Sequence, residues 1–538
     1  MKRLIISLIT ASVLSACTLA PHYRRPESPV PDRWPSDTAA ANTTERLARE
    51  SPAGTTERLA RESPAGTMGS VDVSASDQPS RSGIGDPSMT ADQIGWRDFF
   101  TDPRLQHLIE IALENNRNLR IAVLNVAASE AEYRVQRGTL FPAISATGSG
   151  LAEKLPANAT VPLSGLGGTG GAVTGSSGAT PGLSGGSGNT IHYYSAGIGF
   201  TSYELDLFGR ERSLTTQAFE QYLAQSETRR STQISLVSEV ATAYFAVLAD
   251  QQLLSLTQDT LRSETESYNL TKAMYEADTT TLLSLRQAES LVDAARANLA
   301  QFQRQLSQDI HALTLVLGQS IPADLPDGID LDAEGPLADL PAGLPSELLA
   351  RRPDIMAAEH DLRAANANIG AARAAFLPSI QLTGSGGTAS NRLGDLFSKG
   401  TGTWSFTPTI NVPLFTGGRN RANLDLAHIE KNIAVARYEL TIQTAFREVS
   451  DALNARETYR DQRTSEQALV AADAEAYRLA EVRFRSGVDS YLTALDAQRS
   501  LYAAQQQLVA TRQADLANQV TLYKTLGGGW VQHTAAPR

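Results

Sequence analysis

The residue types that most often carry chemistry are scarce in this chain. Its 538 residues include one cysteine and seven histidines, and no two histidines have the i, i+4 spacing of a helical metal site. A single cysteine excludes a disulfide scaffold and any site built from several thiolates. No nucleophile motif accompanies the histidines. The sequence therefore predicts that the protein is not an enzyme and holds neither a metal nor a cofactor.

A glycine-rich stretch between Ala152 and Asn189 has the composition of a phosphate-binding loop but not its motif. None of its glycines is followed by Lys and then Ser or Thr, as a P-loop requires. The formal net charge of −11 also argues against a nucleic-acid partner, because phosphate contacts need a basic face. Because catalysis, phosphate binding and nucleic-acid binding are all disfavoured, we expect the protein to function through its shape.

The one cysteine stands where a covalent lipid anchor would need it. Met1 to Ala16 combines a basic start, a short apolar stretch and small residues, which is typical of a secretory signal peptide. Leu14 to Cys17 resembles the bacterial lipoprotein box, so we expect cleavage before Cys17 and a diacylglycerol and an N-acyl chain on this residue. The alternative is a plain signal peptide in which Cys17 has no special role. The residue after Cys17 is Thr18. An aspartate at this position would resemble an inner-membrane retention signal, so its absence favours the outer membrane.

The segment that follows has the composition of a tether. Residues 17–90 are rich in Pro, Ser, Thr, Gly and charge, and such a segment cannot bury enough apolar surface to offset its chain entropy. It contains a tandem duplication, in which residues 43–54 are repeated at 55–66. We predict a lipidated N-terminus and disordered linker here, and we assign the duplication no function.

The rest of the chain is built from two repeats. The motif at Pro142 returns at Pro378, and the motif at Arg210 returns at Arg419 after a shorter interval. The difference between the two intervals predicts an insertion in the first repeat, in a Gly/Ser-rich external loop at 152–190. The predicted segments are a signal peptide (1–16), the linker (17–90), a first repeat (91–320), a connector (321–345), a second repeat (346–530) and a tail (531–538).

Long helices dominate both repeats. Apolar and small residues from Ile109 to Val126 alternate spacings of three and four, the seam period of a left-handed coiled coil, and this helix is expected to stop at Pro142. The segment from Ser213 to Tyr275 contains no proline and would form a helix about 95 Å long. A partner helix ending at Gly318 completes a hairpin, and residues 420–526 repeat it. No compact globular domain accommodates such a hairpin.

Each repeat also contains a pair of strands, at 144–208 and 380–415. Trp404 to Leu414 alternates apolar and polar side chains with the period of a strand, and in the second strand of the first pair this alternation changes register after Phe200. The first strands are expected at 144–150 and 380–386. A soluble α+β sheet is the alternative, but the lipoprotein box and strand lengths near those of outer-membrane proteins favour a membrane sheet.

Four strands are too few for a closed barrel. Bacterial barrels start at about eight strands, and an open sheet edge in lipid leaves unpaired backbone groups that cost several kcal/mol each. The sequence therefore predicts an oligomer. Three copies are favoured over two, because a barrel of about twelve strands leaves a lumen that continues between the helices.

At this point the chain resembles the TolC family of outer-membrane efflux channels, and within it the OprM-like, NodT-type lipoproteins that serve RND multidrug pumps. The resemblance extends from the lipoprotein box almost to the C-terminus. The segments that carry it are Ile94–Phe100, Tyr203–Arg210, Pro345–Asp354, Asp496–Ser500 and Leu526–Trp530.

This resemblance implies an α+β membrane protein with a definite assembly. The expected fold class is a trimeric 12-stranded β-barrel with four strands per chain, continued by a long periplasmic α-helical barrel of coiled-coil hairpins and girdled by a mixed equatorial belt. The chain would be lipid-anchored in the outer membrane, span it and extend into the periplasm. The expected partners are two further copies of the chain, outer-membrane lipid, a periplasmic adaptor protein and an inner-membrane RND transporter. The implied role is antibiotic resistance by passive conduction of drugs.

The resemblance also implies where the channel closes. At the start of the last long helix, Leu492 is expected to form an apolar collar and Asp496 an acidic ring that prefers cations, with Arg499 beside it. The alternative is an ordinary surface ion pair between Asp496 and Arg499, which are three residues apart.

The adaptor is expected to dock at the tips of the two helical hairpins. The tip residues are Asp278 and Thr279 in the first repeat and Arg485, Gly487 and Ser490 in the second. Asp278 occupies the position that corresponds to Gly487, where a left-handed backbone is expected. Aspartate tolerates that conformation better than most residues, so the turn is retained.

Two other functions remain open from the residues alone. A channel of the same fold could instead serve type I protein secretion or metal efflux. A trimeric structural protein that spans the envelope without transport is the alternative of another class. Neither the exported compounds nor the identity of the partner proteins follows from the sequence.

Overall fold

The computed structural model describes residues 19–30, 90–154, 190–331, 337, 340 and 351–534. The predicted signal peptide, the lipidation site Cys17, the duplicated segment 43–66, most of the external loop and residues 535–538 lie outside the described residues.

Long helices and four strands make up most of the described chain. The helices are α1 (Trp96–Phe99), α2 (Pro103–Asn115), α3 (Arg117–Gly138), α4 (Arg210–Glu276), α5 (Leu282–Leu317), α6 (Pro353–Ala374), α7 (Arg419–Arg485) and α8 (Tyr491–Thr525). The strands are β1 (Ile144–Lys154), β2 (Thr190–Leu205), β3 (Ser379–Ser390) and β4 (Gly402–Asn411). Short 3₁₀ turns lie at Ala91–Gln93 and Leu393–Asp395.

The two longest helices preserve the internal repeat. α4 and α7 each contain 67 residues, and their first residues, Arg210 and Arg419, are the landmarks that the sequence pairs. In α4, the predicted seam residues Ile234, Val237 and Ala241 are buried. Among the described residues, α4 alone has a stretch long and apolar enough to cross a bilayer, and half of that stretch is buried inside the chain. That burial is typical of a core helix.

The first predicted helix is divided in two, which corrects the sequence-based expectation. α2 ends because Asn116 has an extended backbone, with a ψ of 129°. Its side chain replaces the interrupted helical bonds: Nδ2 donates to the Val316 carbonyl at 2.7 Å, and Oδ1 accepts from the Leu119 amide at 2.9 Å. Ile109 and Leu119 stay buried on either side of the break, so the apolar period does not reveal it. Val123, farther along the predicted seam, is exposed in the single chain.

The strands form one antiparallel sheet in the order β1-β2-β3-β4. The pairing of β2 with β3 shifts between Phe200 and Tyr203, where Ser202 has a φ of 56°. This irregularity agrees with the change of register predicted after Phe200. β1 and β3 continue to Lys154 and Ser390, farther than the expected 150 and 386, so the predicted external loop begins later than expected.

The outer strands have the features of a sheet that needs lipid and further copies. On β4, Trp404, Phe406 and Ile410 lie on alternate positions and are exposed, Trp404 to 83%. β1 and β4 each have one hydrogen-bonded neighbour. Both edges are therefore open in one chain, and closure requires strands from other copies.

The chain divides into two compact units that do not coincide with the two repeats. One unit comprises residues 1–27, 125–226 and 357–438, and its described part contains the sheet. The other comprises 28–124, 227–356 and 439–538. Each unit therefore takes segments from both repeats.

An aromatic cluster forms part of the core of the second unit. Phe99 stacks on Tyr523 with a ring-centroid distance of 4.1 Å, and the Tyr523 hydroxyl donates to the Ile94 carbonyl at 2.6 Å. Gly528 lies against the same ring, where a Cβ would come within 2.1 Å. Aromatic residues and glycines of the segments 94–100 and 526–530 therefore pack together in the core of this unit.

Part of the predicted linker is packed in the first unit. The Tyr23 hydroxyl donates to Glu359 at 3.1 Å, and Arg25 forms an ion pair with the same carboxylate. Asn366 donates to the Pro21 carbonyl at 2.7 Å. The prediction of a disordered tether beginning at residue 17 is therefore wrong for this stretch, because charged and aromatic side chains here find partners on α6.

Candidate functional site

The start of α8 carries the predicted aperture residues on one face. Leu492, Asp496 and Arg499 have the i, i+4, i+7 spacing of a helix face, and all three are exposed, Leu492 to 48%. Tyr491 and Leu495, on the adjacent face, are buried. The helix is therefore held by one side and presents an apolar, an acidic and a basic side chain on the other.

Asp496 and Arg499 do not form the surface ion pair considered as an alternative. Among the ion pairs of the described residues, none joins these two side chains. Both charges are therefore available to solvent and to symmetry-related copies. Their exposure is compatible with the predicted ring, which is a property of the trimer.

Hydrogen bonds attach the buried face of α8 to α4. The Ser267 and Tyr491 hydroxyls lie 2.9 Å apart, and the Thr257 and Tyr502 hydroxyls 2.8 Å apart. Gln498 Nε2 donates to a further α4 hydroxyl, that of Ser263, at 3.3 Å. These bonds do not follow from the sequence, because their partners lie in different repeats, far apart along the chain.

A small apolar cluster supports the same contact. It contains buried Ala288, Tyr491 and Leu495, with Leu291 and Phe484 packed against them. Burial raises the pKa of Tyr491 above its usual value, so its hydroxyl stays neutral and can donate. Polar bonds and apolar packing together fix the rotation of α8, and with it the direction of Asp496.

The tip of the first hairpin is closed by a left-handed residue, as predicted. Asp278 has a φ of 56°, and its amide donates to the Tyr275 carbonyl at 3.0 Å. The Thr279 amide donates to the Met274 carbonyl at 2.8 Å. This is the Schellman pattern of a helix C-terminus. Thr281 then caps α5 by accepting from the Ser284 amide at 3.2 Å.

The second tip repeats this backbone geometry at the equivalent position of the second repeat. Gly487 has a φ of 71°, its amide donates to the Phe484 carbonyl at 2.9 Å, and the Val488 amide donates to the Arg483 carbonyl at 2.9 Å. Aspartate and glycine thus perform the same conformational role in the two turns. Ser490 precedes α8 but makes no capping bond to its backbone.

The side chains of the two tips differ more than their backbones do. In the second tip, Arg483 makes a bidentate pair with Asp489, at 2.5 and 2.9 Å, and Arg485 bonds Glu481 at 2.6 Å. Hydrogen bonding to Arg483 lowers the pKa of Asp489 below its usual value. Any surface that docks on this tip meets fixed, paired charges.

A metal centre has no support in the described part of the chain. No group of three or more His, Cys, Asp or Glu side chains there could hold an ion. Cys17, the predicted lipidation site, lies outside the described residues.

Comparisons with known proteins show the family of the chain. The family model described as outer membrane efflux protein matches residues 108–319 and 344–528. The chain is 47% identical over 533 residues to the toluene efflux pump outer membrane protein TtgC of Pseudomonas putida, covering 99% of this chain and 97% of that protein. It is 39% identical over 526 residues to the outer membrane protein OprJ of Pseudomonas aeruginosa, covering 97% and 95% of the two chains.

A solved structure extends the similarity to three dimensions. The open state of the MtrE outer membrane channel of Neisseria gonorrhoeae matches with a TM-score of 0.77 at 37% identity, covering 97% of this chain and all of that chain. These relatives confirm the predicted fold class, a trimeric barrel to which each chain contributes four strands. They also confirm the outer-membrane location and the place in a tripartite pump. The chain therefore belongs to the outer membrane efflux protein family and is the outer-membrane channel of an efflux pump.

Proposed function

We propose that three copies of this chain form a passive duct for small apolar and amphipathic organic compounds, which an inner-membrane RND transporter and a periplasmic adaptor deliver. The relatives named for toluene and antibiotic efflux support this class of cargo. The observation that carries the proposal is the exposed face of α8 with Leu492, Asp496 and Arg499. An apolar collar beside an acidic ring is suited to close a water-filled pore.

In this proposal the chain performs no catalysis. The transporter supplies the energy, and the adaptor binds the hairpin tips around Asp278, Thr279, Arg485, Gly487 and Ser490. Docking opens the aperture by favouring a different packing of the same helices, which requires that the adaptor bind the open arrangement more tightly than the closed one.

The lipid anchor belongs to the proposal as well. Cys17 would carry a diacylglycerol and an N-acyl chain, because one acyl chain alone gives only marginal membrane binding. Mass spectrometry of the mature N-terminal peptide tests this. An unmodified Cys17 in protein purified from outer membranes would contradict it.

A reversible cysteine cross-link tests the duct. In a strain that lacks the native copy, Asp496→Cys should export toluene and antibiotics under reducing conditions. Oxidation of two thiols to a disulfide should then join copies around the threefold axis and abolish export, and reduction of the disulfide should restore it. A structural spacer would leave the deletion strain as resistant as its parent. Sensitivity to metal salts alone would redirect the proposal to metal efflux.

A further inference from the structure

A cleft of about 500 Å³ lies in the second unit between α4, α5 and α8. Leu291 and Ala295 of α5 provide apolar lining, and Gln498 and Tyr502 of α8 provide polar groups. Asp496 and Arg499 also line it. Its volume lies within the range of about 300–1,000 Å³ that is usual for sites binding drug-sized molecules.

The carboxylate of Glu264 has no partner in this cleft. The residue lines the cleft and is 4% exposed, and its Oε2 is buried without a hydrogen bond. Among the hydrogen bonds and ion pairs of the described residues, none involves this side chain. Two polar groups of the lining, Gln498 and Tyr502, are hydrogen-bonded to Ser263 and Thr257 instead.

An unpaired buried carboxylate can be stabilised in two ways. It can take up a proton, and burial accordingly raises the pKa of Glu264 to about 7. It can also be neutralised by a cation that fits the space beside it. Since the described residues contain no cluster of metal-binding side chains and much of the lining is apolar, the fitting cation is an organic one.

We propose that the Glu264 cleft binds small organic ammonium ions, with the charged nitrogen on the Glu264 carboxylate and a compact apolar body against Leu291 and Ala295. This site goes beyond the proposed function, because it concerns binding by the wall of the channel and does not depend on transport. It shares Asp496 and Arg499 with the predicted aperture, but the charged contact is made by Glu264, a buried residue of α4.

The charged and titratable groups around Glu264 determine how binding depends on pH. Tyr477 of α7 and Tyr491 of α8 face it, and Asp496 and Arg499 of α8 line the same cleft. The lining residues of α5 are not titratable. Since Glu264 must be ionised to hold a cation, affinity should fall as the pH drops from 8 to 6. For a carboxyl with a pKa of about 7, the ionised fraction falls about tenfold over this range.

Fluorescence titration of the detergent-purified trimer tests the site. The probe is dansylcadaverine, a primary ammonium on an apolar fluorophore, and dansylamide is its uncharged counterpart. The native trimer should bind dansylcadaverine in preference to dansylamide, with affinity about tenfold higher at pH 8 than at pH 6. Glu264→Gln should abolish both the preference and the pH dependence. Glu266→Gln, which changes an exposed carboxylate on the same helix, should preserve both.

Three results would overturn the proposal. One is equal binding of the two dansyl compounds by the native trimer. Another is loss of the preference in Asp496→Asn while Glu264→Gln retains it, which would assign binding to the aperture ring. The third is unchanged dansylcadaverine binding by Leu291→Trp, whose indole should occupy the apolar part of the cleft where the dansyl group is expected to lie. The Leu291 variant keeps the test valid even if Glu264→Gln alters trimer stability.

Discussion

At the scale of single residues, the exposed and the buried faces of α8 have different roles. Asp496 and Arg499 lie on the exposed face without an ion-pair partner among the described residues, whereas Tyr491 and Gln498 bond α4 from the buried face. In the proposed aperture, the charge of the ring and the contacts that fix the rotation of α8 can therefore be changed independently.

Removing the aperture carboxylate should enlarge the conducting path. We expect Asp496→Ala to raise single-channel conductance in planar bilayers and to weaken the preference for cations, because the acidic ring is lost from the constriction. Asp496→Glu, which keeps the charge, should retain the cation preference. An unchanged conductance and ion preference in the alanine variant would contradict an aperture at this position.

Loosening the buried face should instead favour opening. Tyr491→Phe removes the hydroxyl that lies 2.9 Å from Ser267, which typically weakens a contact by about 1 kcal/mol. We expect a higher open probability in bilayer recordings. Tyr459→Phe on α7 is the control, since the Tyr459 side chain takes part in none of the hydrogen bonds between described residues. Equal behaviour of the two variants would exclude this bond from gating.

At the scale of elements, the two hairpins show how different residues satisfy one backbone requirement. Asp278 and Gly487 both have positive φ values, 56° and 71°, and both are followed by the same pattern of amide bonds. The tips thus have similar backbone turns but different side chains. Docking that depends on side chains would distinguish them.

A substitution at Gly487 separates backbone shape from side-chain contact. A Cβ at this position meets no atom within 4 Å. Gly487→Val therefore destabilises the turn only because valine disfavours a left-handed backbone, at a cost of roughly 1–2 kcal/mol or more. We expect intact trimers with little adaptor cross-linking and little drug export. Gly487→Asp, which copies the residue of the first tip, should retain most export. Full export by the valine variant would argue against docking at this turn.

At the scale of the whole molecule, one carboxylate gathers several of the contacts that hold the N-terminal segment on the fold. Glu359 accepts from Tyr23, Arg25 and Arg363. Burial alone would raise the pKa of Glu359, but hydrogen bonds and charges from Arg25 and Arg363 outweigh it, and the pKa lies below the usual value. The contribution of this contact to stability is therefore present above the usual glutamate pKa and is lost as the pH falls through the lowered value.

Cutting this contact should release the N-terminal segment. Glu359→Ala removes several charge-assisted bonds worth about 1.5–3 kcal/mol each, so we expect trypsin to cleave after Arg24 at least about tenfold faster. N-terminal sequencing of the trimer during limited proteolysis measures this. Glu132→Ala, at an exposed position of α3, should leave the rate unchanged. Slow cleavage in both variants would show that other contacts hold the segment.

Several features of the fold were predictable because near neighbours encode them. Proline-free apolar periodicity predicted α4, the change of alternation after Phe200 predicted the irregular pairing at Ser202, and Asp278 was expected to adopt a left-handed backbone. In each case the cause lies within a few residues of the effect, in side-chain period or in the steric preference of one residue.

The aperture is different, because its residue identities came from family resemblance. Periodicity shows only that Leu492, Asp496 and Arg499 share a helix face. It does not show which way that face points. The rotation of α8 is set by Ser263 and Ser267, which lie on another helix.

The sequence by itself determined the long hairpins, the two strand pairs, the need for several copies and the turn chemistry of the tips. Only the tertiary structure decided the break at Asn116, the anchoring of Tyr23 and Arg25 on Glu359, and the isolation of Glu264 in its cleft. The physical reason is distance along the chain. Tyr23 and Glu359 are 336 residues apart, and whether a polar group is paired or left alone depends on which distant segments the folded chain brings beside it.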